Sequence, residues 1–449
     1  MESAHGIRIV KNTLFISGAS IAQKMLSFLY FVFIARTYGV VATGQYFFAV
    51  SLSIVFSIFV DLGFSPVLIR ETARARAGSA AHLRAILGAK ILLSLLGYAL
   101  LAGMSFFITS DVRVRTLILL AGIVMVLDGW HLALYAVIRG FERLEFESFG
   151  VLIAQTTTIV IGGTLIWFHA PLVWLVVALM AGSLAHIFWA SGILLRNFSI
   201  VPLPQWDGAL VQRTLRMAGA FALAGAFAKA YTYADAVLLG VLIDHARVGL
   251  YSAAYKFTYS FQFLPMAFAA SLFPAFSAIA VKTPEMLGKT FTRAMFALLT
   301  IALPICFGIF LLADRIILFF YGVAYRDAIS VLQILVFTIV FLFLTYPIGS
   351  LLNATNRQGI WTTCMGVSMT LNLVLNIVLI PRFTMHGAAI AAIVGQFSLV
   401  VMGMIVVARS IPLNGDEILH TLVKTFVAVS LMTVSITIVK PFAHLFILV

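Results

Sequence analysis

Residues 294–313 read AMFALLTIALPICFGIFLLA, a run without a single charged side chain. An α-helix rises about 1.5 Å per residue, so such a run crosses the hydrocarbon core of a bilayer, which is about 30 Å thick. Similar runs recur along all 449 residues, of which 62% are hydrophobic and 10% charged, with a mean hydropathy of +1.10. They are continuously apolar rather than alternating, which favours helices over a β-barrel. The sequence therefore predicts an all-α, polytopic membrane protein.

Thirteen apolar runs are predicted to span the membrane. They lie near residues 13–35, 44–68, 85–108, 116–138, 149–168, 172–195, 216–241, 249–279, 291–313, 329–352, 360–380, 387–408 and 421–439. Loops on the side of the N-terminus carry about twice as many Lys and Arg as those on the other side, the bias that is typical of cytoplasmic loops. We therefore expect a protein of the cytoplasmic (inner) membrane with a cytoplasmic N-terminus.

The sequence carries no motif for metal, cofactor or catalytic chemistry. Cys306 and Cys364 lie inside apolar runs without the spacing of metal ligands. A phosphate-binding loop, a zinc-binding helix motif and a nucleophile elbow are also absent from the sequence. The formal net charge of +13 is carried mostly by short loops, so nucleic acid is not an expected partner. We expect no enzyme activity, no cofactor and no metal.

Two halves of the chain share short motifs. Gly44 begins the pattern G-x-Y-x-x-A and Gly249 begins it again, and the same offset of 205 positions carries Lys24 onto Lys229. A second similarity links the segments 139–143 and 353–357, which both end in arginine. These repeats predict two six-helix lobes in parallel orientation, at 1–200 and 201–410, followed by an extra C-terminal transmembrane segment at 411–449. Transporters built from two repeats bind substrate near the midplane between them.

Several segments resemble a known family in their order and spacing. The segments concerned are IARTYG (34–39), GQY (44–46), DLGF (61–64), RETAR (70–74), RGFER (139–143), NLVLNIVLIPRF (372–383) and GAA (387–389). They resemble the polysaccharide-biosynthesis flippases, the O-antigen and exopolysaccharide translocases of the multidrug/oligosaccharidyl-lipid/polysaccharide exporter superfamily. The resemblance covers nearly the whole chain. It implies a MATE-like fold of two six-helix bundles around a central cavity, working by alternating access.

The resemblance also implies a cargo and a span count. Family substrates are oligosaccharides on undecaprenyl pyrophosphate, or on dolichyl carriers in archaea. Members have twelve or fourteen spans, so the thirteen predicted here depart from the family pattern at the C-terminal end.

Lysines inside the apolar runs are candidate ligands for an anionic cargo, because a charge at the bilayer centre costs about 2.5–3.5 kcal/mol on insertion scales. Lys24 lies 13 residues after Lys11 and 12 before Arg36, which places it about 18–20 Å from either flank. Lys229 is equally central, and Lys256 lies in the outer half of its span. The alternative for Lys229 is an internal ion pair, for example with Asp235.

Arginines near the ends of the spans are further candidates. Arg70, with Arg74 and Arg76, is predicted at the cytoplasmic face, where it could capture an anionic headgroup. Arg36 is its outward counterpart and could accompany release. For all of these arginines, a role in membrane orientation alone is the alternative.

Acidic residues and histidines inside spans are candidates for ion coupling. Asp128 and His131 share a helical face with Tyr135, and His titrates near neutral pH. Asp235 is a similar candidate. The alternative is a polar packing cluster, or a counter-ion for a lysine. Two other charged positions suggest structural roles: Asp61 is expected to bond locally or to pair with an arginine, and Lys90 is expected to snorkel towards the membrane surface.

The sequence thus predicts a flippase that moves a polyprenyl-pyrophosphate-linked oligosaccharide across the membrane for surface polysaccharide biosynthesis. The expected partners are the lipid-linked cargo, membrane lipids and a polysaccharide polymerase. A lipid II flippase and a cation-coupled multidrug antiporter of the same superfamily are the alternatives. The central lysines argue against cationic cargo. A membrane glycosyltransferase is disfavoured because none of the loops approaches 50 residues.

Overall fold

The computed structural model describes residues 2–412 together with positions 430, 433–435 and 437. Within these residues the chain folds into α-helices joined by short turns, and no β-strand is present. This is the expected result for an apolar chain whose backbone groups must bond internally. The helices are α1 Glu2–Asp61, α2 Phe64–Arg74, α3 Ser79–Ile108, α4 Val112–Gly140, α5 Leu144–Trp167, α6 Val173–Phe198, α7 Gly208–Leu242, α8 His245–Ser260, α9 Phe263–Lys282, α10 Leu287–Tyr321, α11 Ala328–Leu335, α12 Thr338–Ala354 and α13 Gln358–Ala408.

Nine helical segments of the described chain are long and apolar enough to cross a membrane. The two longest, of 44 and 51 residues, bend sharply at Gly39 with φ 76° and at Thr384 with φ 51°, and each contains two predicted spans. Helix α7 is not among the nine, although it has 35 residues, and it carries Lys229 and Asp235. The described helices thus lie over the first twelve predicted spans. The thirteenth, at 421–439, lies outside the described residues apart from the isolated positions named above.

Three spans that were predicted as continuous helices are interrupted. The first break is at Gly63, where φ is 75° and a Cβ atom would lie 2.6 Å from the backbone nitrogen of Ala222 in α7. Glycine is required there because two backbones approach closely at a left-handed residue. The second break precedes Pro265, which lacks the N–H needed to continue α8. The third follows Leu335, where the hydrogen bonds shorten to a three-residue pattern.

The chain divides into two compact units, Met1–Gly249 and Leu250–Val449. The first has a buried core built from α2, α3, α4, α6 and the start of α7. The second has a core built from α9, α10, α12 and the end of α13. The lobe boundary predicted near residue 200 stays a prediction.

The two glycines that begin the G-x-Y-x-x-A motifs, Gly44 and Gly249, both lie in the first unit. A Cβ atom on Gly44 would overlap the carbonyl oxygen of His245, and one on Gly249 would overlap the carbonyl oxygen of Val40. Glycine at both positions therefore lets the second half of α1 cross the start of α8 with their backbones in contact. Tyr46 and Tyr251, the second fixed residues of the two motifs, are both buried. The repeat thus marks a close helix crossing.

Candidate functional site

A cavity of about 280 Å³ lies inside the first unit, between α1, α4, α6 and α7. Its apolar walls include Val50, Met125 and Leu179. Its polar lining consists of Ser53, Ser57, Asp61, Asp128 and Lys229. Ionisable groups are costly in a membrane interior and are therefore candidate functional groups. This cavity brings two carboxylates and one ammonium together.

Asp61 is held by a buried ion pair at one side of the cavity. The Nζ atom of Lys90 in α3 lies 2.7 Å from Asp61 Oδ1 and donates a second hydrogen bond to the Val60 carbonyl at 3.3 Å. Ser65 donates to the same carboxylate oxygen at 2.6 Å. The Lys90 side chain is completely buried, so the prediction that it snorkels to the surface is wrong. The local role expected for Asp61 is present, with a lysine as its partner and not an arginine.

Lys229 reaches the cavity from α7. Its Nζ atom donates a hydrogen bond to Ser57 Oγ at 2.7 Å, although the two residues are 172 positions apart. The ion pairs within 4 Å that the described residues form do not include Lys229. Its ammonium group is therefore held by a neutral hydroxyl beside a cavity, whereas that of Lys90 is held directly by a carboxylate. Asp61 and Asp128 face the same cavity.

Asp128 joins the cavity to a cluster of aromatic and titratable side chains. Ser183 in α6 donates to Asp128 Oδ1 at 2.6 Å, and His131 Nδ1 lies 3.5 Å from the same oxygen. The Asp128 side chain is 43% exposed, because it opens onto the cavity. The His131 ring stacks on His186 at 4.3 Å, and His186 Nδ1 lies 2.9 Å from the hydroxyl oxygen of Tyr135. This cluster gives the carboxylate one hydroxyl donor and one nearby imidazole.

The other predicted site residues do not line this cavity. Arg36 and Arg70 are exposed, and Lys24 is partly buried on α1. Asp235 is buried on α7, and Lys256 is partly buried on α8 in the second unit. Their roles in binding or coupling stay predictions.

Sequence reasoning missed the hydroxyl groups of the cavity. Ser53, Ser57 and Asp61 follow one another at intervals of four residues, which places them on one face of α1. That polar stripe in an apolar helix was a usable signal. Ser183 gives no such signal, because its contact with Asp128 depends on how α4 packs against α6.

The fold and the cavity define the class of the molecule: it is a multi-pass α-helical membrane protein with ionisable groups held inside a helix bundle. Comparison with known families then gives its relationship. Residues 9–280 match the family described as "Polysaccharide biosynthesis protein", and residues 220–378 match the family described as MatE. The first match covers more than half of the chain, so the protein belongs to the polysaccharide biosynthesis protein family. The family predicted from the sequence motifs is confirmed.

Two curated relatives come from Haloferax volcanii. One is named "Probable low-salt glycan biosynthesis flippase Agl15" and is 28% identical over 162 residues, which are 36% of this chain and 34% of the relative. The other is named "Probable flippase AglR" and is 26% identical over 187 residues, which are 40% of this chain and 38% of the relative. The matches thus span little more than a third of the length of each relative.

Solved structures with the same fold cover almost the entire chain. The lipid II flippase MurJ in an inward closed conformation matches 97% of this chain and 99% of its own, with a TM-score of 0.75 and 16% identity. The eukaryotic MATE transporter AtDTX14 matches 93% of this chain and 99% of its own, with a TM-score of 0.64 and 14% identity. At these identities the likeness concerns the fold alone. It confirms the predicted all-α, MATE-like fold class.

Proposed function

We propose that the protein is a flippase that moves a polyprenyl-pyrophosphate-linked oligosaccharide across the cytoplasmic membrane. The observation that carries the proposal is the Lys229 ammonium group, which faces an internal cavity and is held there by a serine hydroxyl. Membership of the polysaccharide biosynthesis family and the flippase names of the two Haloferax relatives support this choice of cargo.

Lys229 is the proposed ligand of the diphosphate. A hydrogen bond to a charged group contributes about 1.5–3 kcal/mol, and a cavity with low effective dielectric strengthens it. Ser57 and Ser53 line the same cavity and could supply neutral donors. The cavity is large enough for a small anion but too small for an oligosaccharide, so the sugar would lie outside it.

We assign the remaining predicted residues to the other steps of transport. Lys24 and Lys256 would add positive charge along the path, with Arg70 at entry and Arg36 at release. Asp128, His131 and Asp235 are the proposed coupling groups. The N-terminus would be cytoplasmic, and a polysaccharide polymerase would act on the delivered product. On this proposal the protein is a transporter without catalytic residues.

Two rival cargoes differ in charge: lipid II is anionic, and the cargo of a multidrug antiporter is cationic. A lipid II flippase carries the same pyrophosphate, so Lys229 does not discriminate against it. A multidrug antiporter for cations would leave the ammonium group of Lys229 facing cargo of like charge, which argues against it. Translocation assays with a lipid-linked oligosaccharide and with lipid II distinguish the proposed function from that of a lipid II flippase.

The direct test is translocation in reconstituted vesicles. A polyprenyl-diphosphate oligosaccharide is placed in the membrane, and its appearance in the opposite leaflet is followed by lectin accessibility. Lys229→Gln is expected to lower the rate at least about tenfold, because it removes a charge-assisted bond. Lys229→Arg should retain most activity, and Arg113→Gln, which removes an exposed positive charge, is the control. A wild-type rate for a correctly folded Lys229→Gln protein would refute the role of this residue.

A further inference from the structure

Two turns in different halves of the chain have the same backbone geometry. At the end of α4 the N–H groups of Phe141, Glu142 and Arg143 donate to carbonyls four, three and five residues back. At the end of α12 the segment 355–357 repeats this pattern, at an offset of 214 positions. The second-last residues of the two segments also have the same left-handed backbone conformation, since Glu142 has φ 60° and Asn356 has φ 58°. The weak similarity between segments 139–143 and 353–357 is therefore a structural repeat.

In the first copy of the turn, both arginines are neutralised by the helix that follows. Arg143 forms an ion pair with Glu145. Arg139 donates to Glu147 through Nε at 2.6 Å and through its terminal nitrogen. Both glutamates lie in the first turn of α5. This copy therefore carries its own counter-charges.

The second copy keeps one of the two arginines and neither acid, since Asn353 stands at the position of Arg139. Arg357 corresponds to Arg143, whereas Gly359 and Trp361 occupy the positions of the two glutamates, and the first turn of α13 contains no acidic residue. The guanidinium group donates to the Ser410 hydroxyl. Among the described residues, no carboxylate lies within 4 Å of the Arg357 nitrogens.

Arg357 also lines a cavity of about 570 Å³ within the second unit. Thr355, Asn356 and Ser410 add polar groups to its lining. Apolar residues of the lining include Leu351, Leu352 and Ile411, together with Val281, whose side chain is 83% exposed. An apolar wall beside a guanidinium group suits a molecule with a charged head and a hydrocarbon tail.

We propose that this cavity binds a phosphate group on Arg357, in the place that Glu145 takes beside Arg143 in the first copy. Arginine recognises phosphate through paired, charge-assisted hydrogen bonds. Glu285 lines the same cavity and opposes an anion, while exposed Lys282, Lys289 and Arg409 lie at the ends of the adjoining helices. Among these described residues the basic side chains outnumber the acidic one. The phosphate could come from a lipid headgroup or from a free anion.

The test measures ligand-induced thermal stabilisation of the purified full chain. The probes are phosphatidic acid, diacylglycerol with the same acyl chains, and inorganic phosphate against chloride at equal ionic strength. Stabilisation by phosphatidic acid and not by diacylglycerol or inorganic phosphate identifies a lipid headgroup site. Equal stabilisation by inorganic phosphate identifies a free-anion site. Identical effects of phosphatidic acid and diacylglycerol overturn the proposal.

Variants distinguish this cavity from other places where lipid adheres. Gly359→Glu restores the acid of the first copy, and a side chain fits because no atom lies within 4 Å of the added Cβ. We expect Gly359→Glu and Arg357→Gln each to raise the apparent Kd of the phosphate-containing probe about tenfold. Gly359→Gln should keep the wild-type Kd, and Glu285→Gln should lower it. Wild-type affinity in both Gly359→Glu and Arg357→Gln would overturn the assignment. Because Lys229 is not involved, the result is independent of the proposed cargo.

Discussion

The buried pair between Asp61 and Lys90 yields a quantitative prediction for stability. Replacing Asp61 by Asn leaves the shape nearly unchanged but removes the negative charge 2.7 Å from the Lys90 ammonium group. The lysine cannot turn to solvent, because its side chain is fully buried. Removing one partner of a buried ion pair costs about 3–5 kcal/mol, since an uncompensated charge remains.

The structure favours the lower half of that range. Asp61 is 16% exposed and borders the cavity, so water can partly solvate the remaining charge. Lys90 also keeps its 3.3 Å hydrogen bond to the Val60 carbonyl. We therefore expect Asp61→Asn to lower the free energy of unfolding by about 3 kcal/mol. Adding Lys90→Met should recover most of the loss, because the double variant leaves no unpaired charge at positions 61 and 90.

The assay is a double-mutant cycle on reversible unfolding in mixed detergent micelles. The single variants Asp61→Asn and Lys90→Met, their combination and the wild type give the coupling energy directly. Asp327→Asn is the control, because Asp327 is exposed and makes no capping bond, and its effect should stay within about 0.5 kcal/mol. Two results would refute this account. One is a decrease in the free energy of unfolding below about 1 kcal/mol for Asp61→Asn. The other is a double variant that is no more stable than Asp61→Asn alone.

Three further substitutions test the fold and the cavity. Gly63→Ala should destabilise by several kcal/mol or prevent folding, because it combines φ 75° with a clash against α7, and thermal unfolding measures this. Gly44→Ala should also destabilise in the same assay, whereas Gly103→Ala, with open space around the added atom, should be neutral or stabilising by about 0.5–1 kcal/mol. Asp128→Asn should tighten binding of inorganic diphosphate and reduce its dependence on pH, as measured by calorimetry; weaker binding would contradict this.

Much of the architecture could be predicted from the sequence because the membrane leaves a chain few options. Apolar runs such as 294–313 must form helices, since their backbone groups find no other partner in lipid. The breaks at Gly63 and before Pro265 lie at residues that visibly limit helices. The break after Leu335 has no such residue, and tertiary packing alone determines it.

The site was predictable only where it depends on distance along one helix. The central position of Lys229 follows from residue counts, and the proximity of Asp128 to His131 follows from their i,i+3 spacing. The buried position of the Lys90 ammonium group does not follow from residue counts. Its distance from the flank suggested snorkelling, but a carboxylate on another helix holds it inside. Contacts between helices that are distant in sequence require the packed structure.

The charge that the cavity presents to an anion depends on the protonation of Asp128, whose neighbour His131 can titrate as well. Lys90 and Asp61 form a closed pair and offset each other. Lys229 and Asp128 remain, and both face the cavity. With Asp128 ionised the two charges cancel, and with Asp128 protonated the ammonium group of Lys229 is left for an anion. Protonation and anion binding should therefore favour each other by the same factor, as linkage requires. Asparagine at position 128 imitates the protonated carboxyl group permanently, which is why tighter binding with a smaller pH response is the expected outcome.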